Sequence, residues 1–263
     1  MTPDWQDLTR FAFSLADASA AAILPWFRRN AAIEVKAGAV WDPVTEGDKA
    51  GERAIRALIE KQFPDHGIHG EEYGVKDGRS PFTWILDPVD GTRAFVCGLP
   101  TWATLIGLTF EGKPVLGLMN QPFVGETFYG NPDGAWHRRG GETEKLATRK
   151  GIALPAATIG TTAPELYKGE DQAFFQRLRA KATLTRYGGD SYFFALLAAG
   201  HVDIAMDAGL QAYDIAALLP IIRGAGGATC EWTGKDPVRG GNILTAGSQK
   251  LLEEALEQRS LSA

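Results

Sequence analysis

The order of hydrophobic patterns along the chain constrains its fold most strongly. Between residues 83 and 137, short β-rich runs are separated by turn signals such as Asn-Pro-Asp-Gly, which predicts an antiparallel sheet. After about Gly140 the pattern alternates between strands and helices, with strands predicted near Thr158, 183–187, 202–206, Cys230 and Ile243. Helices are predicted between them, around residues 174–179, from 191, over 215–225 and from 248.

Two further helices are predicted before the first sheet. Apolar residues recur at helical spacing over residues 5–26, until Pro25 interrupts the pattern, and again over 49–63, where Pro64 ends it. We therefore predict an α/β protein of two lobes. Residues 1–140 form an α+β lobe with an antiparallel sheet and most of the candidate metal ligands, and residues 141–263 form an α/β lobe.

The composition excludes several classes of protein. Hydrophobic residues make up 44% of the 263 residues and charged residues 22%, which is typical of a globular protein. The net charge is −5 and basic residues do not form a run, so we expect no nucleic-acid partner. Cys97 and Cys230 are far apart in apolar contexts, which argues against a disulfide framework or a zinc site. Because the N-terminal apolar stretch lacks a basic leader and contains Asp17 and Pro25, we predict a cytoplasmic protein without a membrane partner.

The most informative motif is Asp-Pro-Val-Asp-Gly-Thr, residues 87–92, which follows an apolar strand. The strand is predicted to end at Asp87, and Gly91 permits a sharp reversal, so that Asp87 and Asp90 converge. Mg²⁺ prefers carboxylate and carbonyl oxygen atoms, which makes both aspartates and the carbonyl of Val89 candidate ligands. The N–H groups of Gly91 and the following threonine would face an anion if they open a helix.

This motif has two other interpretations. Asp, Pro and Gly are common in surface turns, but an apolar strand leads into this motif. The segment also resembles the haloacid-dehalogenase phosphatase motif, in which an aspartate acts as nucleophile. Pro88 occupies the position of that nucleophile and Asp87 lies one residue too early, which disfavours a covalent aspartyl mechanism.

Three more carboxylates occur in suggestive contexts. Glu71 lies in Gly-Glu-Glu, which by itself is usually solvated surface. Asp48 follows Thr45 at the spacing of a helix-capping box, a role that is compatible with a catalytic one. Asp214 precedes an apolar helical run and could be an N-cap or could face a metal across the cleft.

Taken in order, these blocks resemble the inositol monophosphatase superfamily across nearly the whole chain. The matching blocks are residues 42–48, 70–72, 87–92 and 213–227. The resemblance implies a layered αβαβα sandwich of the inositol monophosphatase and fructose-bisphosphatase type. It also implies metal ligands, which are Glu71, Asp87, Asp90, Asp214 and the carbonyl of Val89.

The resemblance further implies a hydrolytic mechanism. Phosphoryl transfer to water requires neutralised phosphate charge, an acidified water and in-line placement, and a cluster of roughly two or three Mg²⁺ ions could supply all three, with Mn²⁺ as an alternative. The implied catalytic residues are Thr92, Asp48 and Glu71, which would orient the attacking water. Lys36 could approach this loop or could be an exposed lysine.

The substrate is less constrained. Arg93 and Gln211, in Asp-Gly-Thr-Arg and Gly-Leu-Gln-Ala-Tyr-Asp, resemble the histidinol-phosphate phosphatase branch, from which Ala212 is a small departure. Asp190 and Asp207 could bind a cationic amine, but carboxylates also accept hydrogen bonds from sugar hydroxyls. The predicted substrate-binding residues are Gly91, Thr92, Arg93, Asp190, Asp207 and Gln211.

Three hypotheses about function follow. The first is a phosphatase of L-histidinol phosphate that acts in histidine biosynthesis, the second a phosphatase of inositol or other polyol phosphates, and the third a non-catalytic metal-binding protein. The third is disfavoured, because a binding protein would not need the pair formed by Thr92 and Asp48. The expected partner is a small phosphate monoester, and a homodimer is left open.

Overall fold

The protein is described by a computed structural model for residues 4–29, 34–35 and 43–260. The elements of its first half are α1 Trp5–Ile23, β1 Glu34–Val35, β2 Pro43–Val44, α2 Glu46–Gln62, β3 Gly67–Gly70, β4 Gly74–Lys76, β5 Phe82–Asp90, α3 Thr92–Val96, β6 Ala103–Phe110, β7 Lys113–Gln121, β8 Glu126–Asn131, β9 Gly134–Arg139 and β10 Glu142–Lys145. Those of the second half are β11 Thr158–Thr161, α4 Glu170–Lys181, β12 Leu184–Tyr187, α5 Ser191–Ala198, β13 Ile204–Leu210, α6 Ala212–Ile215, α7 Leu218–Gly224, β14 Ala228–Glu231, β15 Gly241–Ala246 and α8 Gln249–Ser260.

The first two long helices begin at side-chain caps. The carboxylate of Asp4 accepts hydrogen bonds from the first-turn N–H groups of α1, and Thr45 forms a capping box with Asp48 at the start of α2. Helix α2 therefore begins at Glu46, three residues before the predicted start. Across the described ranges, every helix is too short or too polar to span a lipid bilayer.

The larger sheet has eight strands in the order β10-β9-β8-β7-β6-β5-β3-β4. The strands within residues 83–137 pair antiparallel, as predicted. Strand β3 pairs parallel with β5, which brings Gly70 beside Leu86 and thus the two acidic motifs to one end of the sheet. Strand β10 lies beyond Gly140 yet belongs to this sheet, so the lobe boundary at 140 stays a prediction.

The second sheet has five strands in the order β12-β11-β13-β15-β14. Strand β11 pairs parallel with β12 and β13, whereas β15 pairs antiparallel with β13 and β14. The carboxyl ends of β11 and β13 therefore lie at the same edge. Asp207 lies on β13 just before Gly209, whose φ of 76° is in the left-handed region.

Three hydrophobic cores lie between the layers. One packs α1 and α2 on the larger sheet, with Leu15 and Ile59 against Trp84. A second lies between the two sheets and includes α5 and α7, and a third packs α4 and α8 on the outer face of the smaller sheet. The layer order is α, β, α, β, α, which confirms the predicted fold class.

Two local predictions need correction. The helix predicted over residues 215–225 is divided into α6 and α7 around Ala216 and Ala217, which also begins it three residues earlier, at Ala212. Trp26, predicted on the apolar face of the first helix, is 38% exposed, because the chain leaves that helix at Ile23 and turns through a short 3-10 helix.

Candidate active site

Strand β5 carries two of the predicted metal ligands. Its pairing with β6 is regular from Phe82 to Asp87, then shifts register and resumes where Asp90 lies opposite Ala103. Side chains three positions apart in a regular strand point to opposite faces, so this irregularity lets both carboxylates reach one side. The predicted strand end at Asp87 is wrong. Pro88, which lacks an N–H group, lies within the irregularity, and the strand continues to Asp90.

A sharp turn links β5 to α3. Gly91 has a φ of 77°, in the left-handed region that favours glycine, and helix α3 starts at the next residue. The hydroxyl of Thr92 lies 3.0 Å from the carbonyl oxygen of Val89, to which it donates, and this bond ties the helix start back to the strand. Gly91 and Thr92 therefore do open a helix, which was the condition for their N–H groups to face an anion.

Asp214 approaches from the second half of the chain. The N-cap of α6 is Gln211, and Asp214 occupies the third helical position, where its carboxylate accepts a hydrogen bond of 2.6 Å from the N–H of Gln211. The N-cap interpretation of Asp214 is thus corrected to the other half of a capping box. This reciprocal pair fixes the direction of the aspartate at the cleft.

The three aspartates meet at one point. Carboxylate oxygens of Asp87, Asp90 and Asp214 all lie within 4.8 Å of one another. Glu71 lines the same cavity as the latter two, and its N–H donates to the carbonyl of Leu86 over 3.1 Å, beside Asp87. Residues from both halves of the chain thus build one acidic centre.

Crowding of negative charge changes the acidity of this centre. Burial, together with the charges of Glu71, Asp90 and Asp214, raises the pKa of Asp87 well above its usual range. Burial also raises the pKa of Asp90, as do Asp190 and Asp214, while hydrogen bonds from Ser191 oppose the shift. Carboxylates this close repel one another and favour binding of either protons or cations.

The donor set fits a hard divalent cation. Buried carboxylates are strongly disfavoured without a compensating positive charge, and Mg²⁺ or Mn²⁺ takes oxygen ligands in this geometry. The centre supplies carboxylate oxygen atoms from three aspartates, which lie within 4.8 Å of one another. These residues could therefore hold a metal cofactor.

Asp48 serves two structural roles. Its Oδ2 accepts hydrogen bonds from the backbone N–H and the hydroxyl of Thr45, at 2.9 and 2.5 Å. Its Oδ1 lies 3.4 Å from the Thr92 hydroxyl oxygen. Burial raises the pKa of Asp48 to about 6, against the opposing hydrogen bonds from Thr45. The capping box and the contact with Thr92 coexist, so one carboxylate joins α2 to α3.

A cavity of about 400 Å³ opens over the acidic centre. Most of the predicted site residues line it, namely Glu71, Asp90, Gly91, Thr92, Arg93, Asp190, Asp207, Gln211 and Asp214. Asp87 is buried beneath it, and Asp48 is buried behind Thr92. The cavity is large enough for a small phosphate ester, and both halves of the chain contribute to its wall.

Asp190 is held in an uncommon backbone conformation. Its φ and ψ are 45° and −139°, a combination that residues other than glycine rarely adopt. Such a conformation persists only where the surrounding structure imposes it. The next residue, Ser191, donates its N–H to Asp90 over 3.0 Å. Burial raises the pKa of Asp190, whereas Thr162 and the charge of Arg93 lower it.

Asp207 is engaged within the protein. One of its oxygen atoms accepts hydrogen bonds from the Thr161 hydroxyl and the Thr162 N–H, and the other accepts from the Thr162 hydroxyl. Burial raises its pKa to about 7, although these bonds oppose the shift. The residue borders the cavity, but its described bonds anchor the end of β11.

Several site residues carry no recognisable motif. Thr162 and Ser191 border the cavity. Their sequence signals are weak: Thr162 follows a predicted strand, and Ser191 comes shortly after a pair of glycines. Glu52, four positions after Asp48 on the same helix, is fully buried beside the Gly-Glu-Glu motif. Lys36 and Asp42, the first residue of the matching block 42–48, lie outside the described residues.

Comparison with known proteins identifies relatives along nearly the whole chain. The sequence profile of the inositol monophosphatase family matches residues 4–262. The chain is 38% identical over 265 residues to the bifunctional phosphatase IMPL2 of Arabidopsis thaliana, covering 95% of this chain and 75% of that protein. It is 34% identical to the histidinol-phosphatase of Streptomyces coelicolor, with 97% of each chain covered.

Solved structures agree with the fold. An inositol monophosphatase from Zymomonas mobilis superposes with a TM-score of 0.86 at 38% identity and covers 98% of this chain and 100% of its own. The superposition spans both sheets, because nearly every residue of each chain is included. Relatives named for different substrates thus resemble this chain at similar identity.

Proposed function

The chain belongs to the inositol monophosphatase family, and from this premise we propose that it hydrolyses L-histidinol phosphate with Mg²⁺ as its cofactor. Two of its relatives are named as phosphatases, and together with the acidic centre this supports a metal-dependent hydrolase of small phosphate monoesters. Reaction products would be L-histidinol and inorganic phosphate, and the enzyme would act in histidine biosynthesis.

The observation that carries the metal-dependent hydrolysis is the cluster of Asp87, Asp90 and Asp214 at the floor of a cavity. Glu71 and the carbonyl of Val89 complete the proposed ligand set, since a carbonyl that accepts one hydrogen bond keeps a second lone pair. Bound Mg²⁺ would neutralise phosphate charge and acidify a water molecule, and Mn²⁺ has the same ligand preference.

The protein's own groups prepare the nucleophile. The Thr92 hydroxyl lies between Val89 and Asp48, so it can accept a hydrogen bond from water while it donates to one of those oxygens. Glu71 borders the same space and supplies a second acceptor. Since water attacks directly, the scheme requires no covalent phosphoenzyme, and the proposed catalytic residues are Thr92, Asp48 and Glu71.

Recognition of the cationic amine is assigned to Asp190. Its carboxylate packs against Gly91 at the cavity wall, and Arg93 favours its ionised form. An ionised carboxylate forms a strong charge-assisted hydrogen bond with an ammonium group. Asp207 keeps a supporting role, because Thr161 and Thr162 already occupy both of its oxygens. Gln211 would contact the substrate from the start of α6.

A phosphate-release panel tests the proposal. Purified protein with Mg²⁺ is given L-histidinol phosphate, inositol 1-phosphate or a nucleoside bisphosphate, and initial rates are measured over a range of concentrations. The proposal expects L-histidinol phosphate to have the highest kcat/KM. Release from none of them, with and without Mg²⁺, would contradict hydrolysis of this class of substrate.

The second candidate is a phosphatase of inositol or other polyol phosphates. Arg93 supports this candidate. Its guanidinium partly neutralises the negative charge of the Asp190 carboxylate, which weakens the attraction of that carboxylate for an amine. A higher kcat/KM for inositol 1-phosphate in the same panel would select it. A non-catalytic metal-binding protein is disfavoured because it would not require the contact between Thr92 and Asp48.

A further inference from the structure

A buried glutamate on α2 lies outside the proposed catalytic set. Glu52 is 0% exposed, and its carboxylate accepts hydrogen bonds from the N–H groups of Glu72 at 2.7 Å and Tyr73 at 3.2 Å. The guanidinium of Arg56 donates to the same carboxylate over 2.7 Å. A buried charge is retained only where such donors compensate its lost hydration.

The turn that Glu52 contacts is held on both sides. Arg56, one helical turn further along α2, also donates to the carbonyl of Gly74. Gly70 passes so close to Glu52 that an added Cβ atom would collide with its carboxylate. Side chains of α2 therefore bind both N–H groups and a carbonyl group of the turn at residues 70–74.

This turn carries Glu71. The N–H of Glu71 donates to the carbonyl of Leu86, and the next residue along that strand is Asp87. Glu71 also lines the cavity that Asp90 and Asp214 border. A shift of the turn would move Glu71 relative to the other ligands.

Helix α2 supports the site at two points. Asp48 and Glu52 are four positions apart, so they lie on one face of the helix. Asp48 approaches Thr92, and Glu52 binds the turn beside Glu71. The same helix face thus contacts both the proposed water-orienting group and the proposed metal-binding turn.

We propose that Glu52 is a positioning residue for metal binding: its carboxylate fixes the turn at residues 71–74 so that Glu71 completes the site of Asp87, Asp90 and Asp214. The inference rests on the metal site of the proposed function and is independent of the substrate. Groups that orient metal ligands commonly change metal affinity by about 10- to 100-fold when substituted.

Direct metal binding tests the proposal without substrate. Metal-free protein is titrated with Mn²⁺, and free Mn²⁺ is measured by electron paramagnetic resonance. The variant Glu52→Gln keeps the side-chain shape, but its amide group turns a donor toward a backbone N–H, so we expect Mn²⁺ affinity to fall about tenfold.

A matched control uses the same helix. Glu60 also has a cationic partner, Lys76 at 3.3 Å, but its side chain is 49% exposed and lies outside the site cavity. Glu60→Gln should leave Mn²⁺ affinity within about twofold of wild type, as surface substitutions usually do. Thermal unfolding of the metal-free proteins separates effects on stability from effects on metal affinity.

Each outcome is decisive. A folded Glu52→Gln protein that binds Mn²⁺ as wild type does, even with a lower Tm, overturns the proposal, because Glu52 then has a structural role alone. If Glu52→Gln does not fold, Arg56→Met replaces it, and unchanged affinity in that folded variant is equally contrary. Absence of saturable binding by wild type would contradict the metal site itself and this inference with it, whereas failure on L-histidinol phosphate would leave the inference intact.

Discussion

The hydroxyl oxygen of Thr92 lies 3.4 Å from Oδ1 of Asp48, although the two residues belong to different helices. The other carboxylate oxygen of Asp48 caps helix α2 through Thr45. A residue that holds the start of a long helix is itself held firmly, so the partner of Thr92 is pre-organised. Such rigidity suits a group that must orient water in a transition state.

Thr92→Ala should lower kcat about 100-fold and change KM by less than about threefold, because water orientation is used mainly in the transition state. Steady-state rates with saturating metal separate the two constants. Thr92→Ser keeps the hydroxyl and should retain most of the activity. A variant in which KM alone rises would show that Thr92 binds substrate instead.

Asp90→Asn should lower kcat/KM at least about 100-fold while far-UV circular dichroism stays unchanged, because the metal site loses an anionic oxygen. Excess chelator should abolish the activity of wild type, and added Mg²⁺ should restore it. Asp133→Asn, at an exposed turn between β8 and β9, is the matched control and should behave as wild type. Full turnover in chelator would contradict the metal mechanism.

The sequence alone was sufficient to predict that neighbouring residues of one motif lie together at the site. Asp87, Asp90 and Thr92 lie within one motif, and the switch in hydrophobic periodicity predicted both sheets. The irregularity in β5 was not predictable, because it depends on how the strand pairs with β6. Contacts between distant segments were also hidden: the bonds from Thr161 to Asp207 form only once two parallel strands lie side by side.

Asp207 should make stability depend on pH in the metal-free protein. Its pKa is raised to about 7, so the folded state holds a proton that the unfolded state has released, and unfolding free energy falls as pH rises from about 4 to 7. Asp207→Asn can keep the bonds to Thr161 and Thr162 without a charge. Relative to wild type it should gain about 1 kcal/mol or more between pH 5 and pH 8. Denaturant unfolding at both pH values measures the free energies. If the difference between variant and wild type were the same at pH 5 and pH 8, the prediction would be wrong.

Asp190→Asn should separate the two candidate substrates. The variant removes the charge that an ammonium group would contact, and asparagine tolerates positive φ better than most residues. We expect kcat/KM for L-histidinol phosphate to fall about tenfold and that for inositol 1-phosphate to fall less than about threefold. Equal losses on the two substrates would remove Asp190 from substrate selection.

The most direct measurement is the ratio of kcat/KM for L-histidinol phosphate to that for inositol 1-phosphate, determined with wild-type protein and saturating Mg²⁺. We predict a ratio of at least about 10, which corresponds to roughly 1.4 kcal/mol in transition-state binding. A ratio of one or below would contradict the histidinol-phosphate assignment and favour the polyol-phosphate alternative.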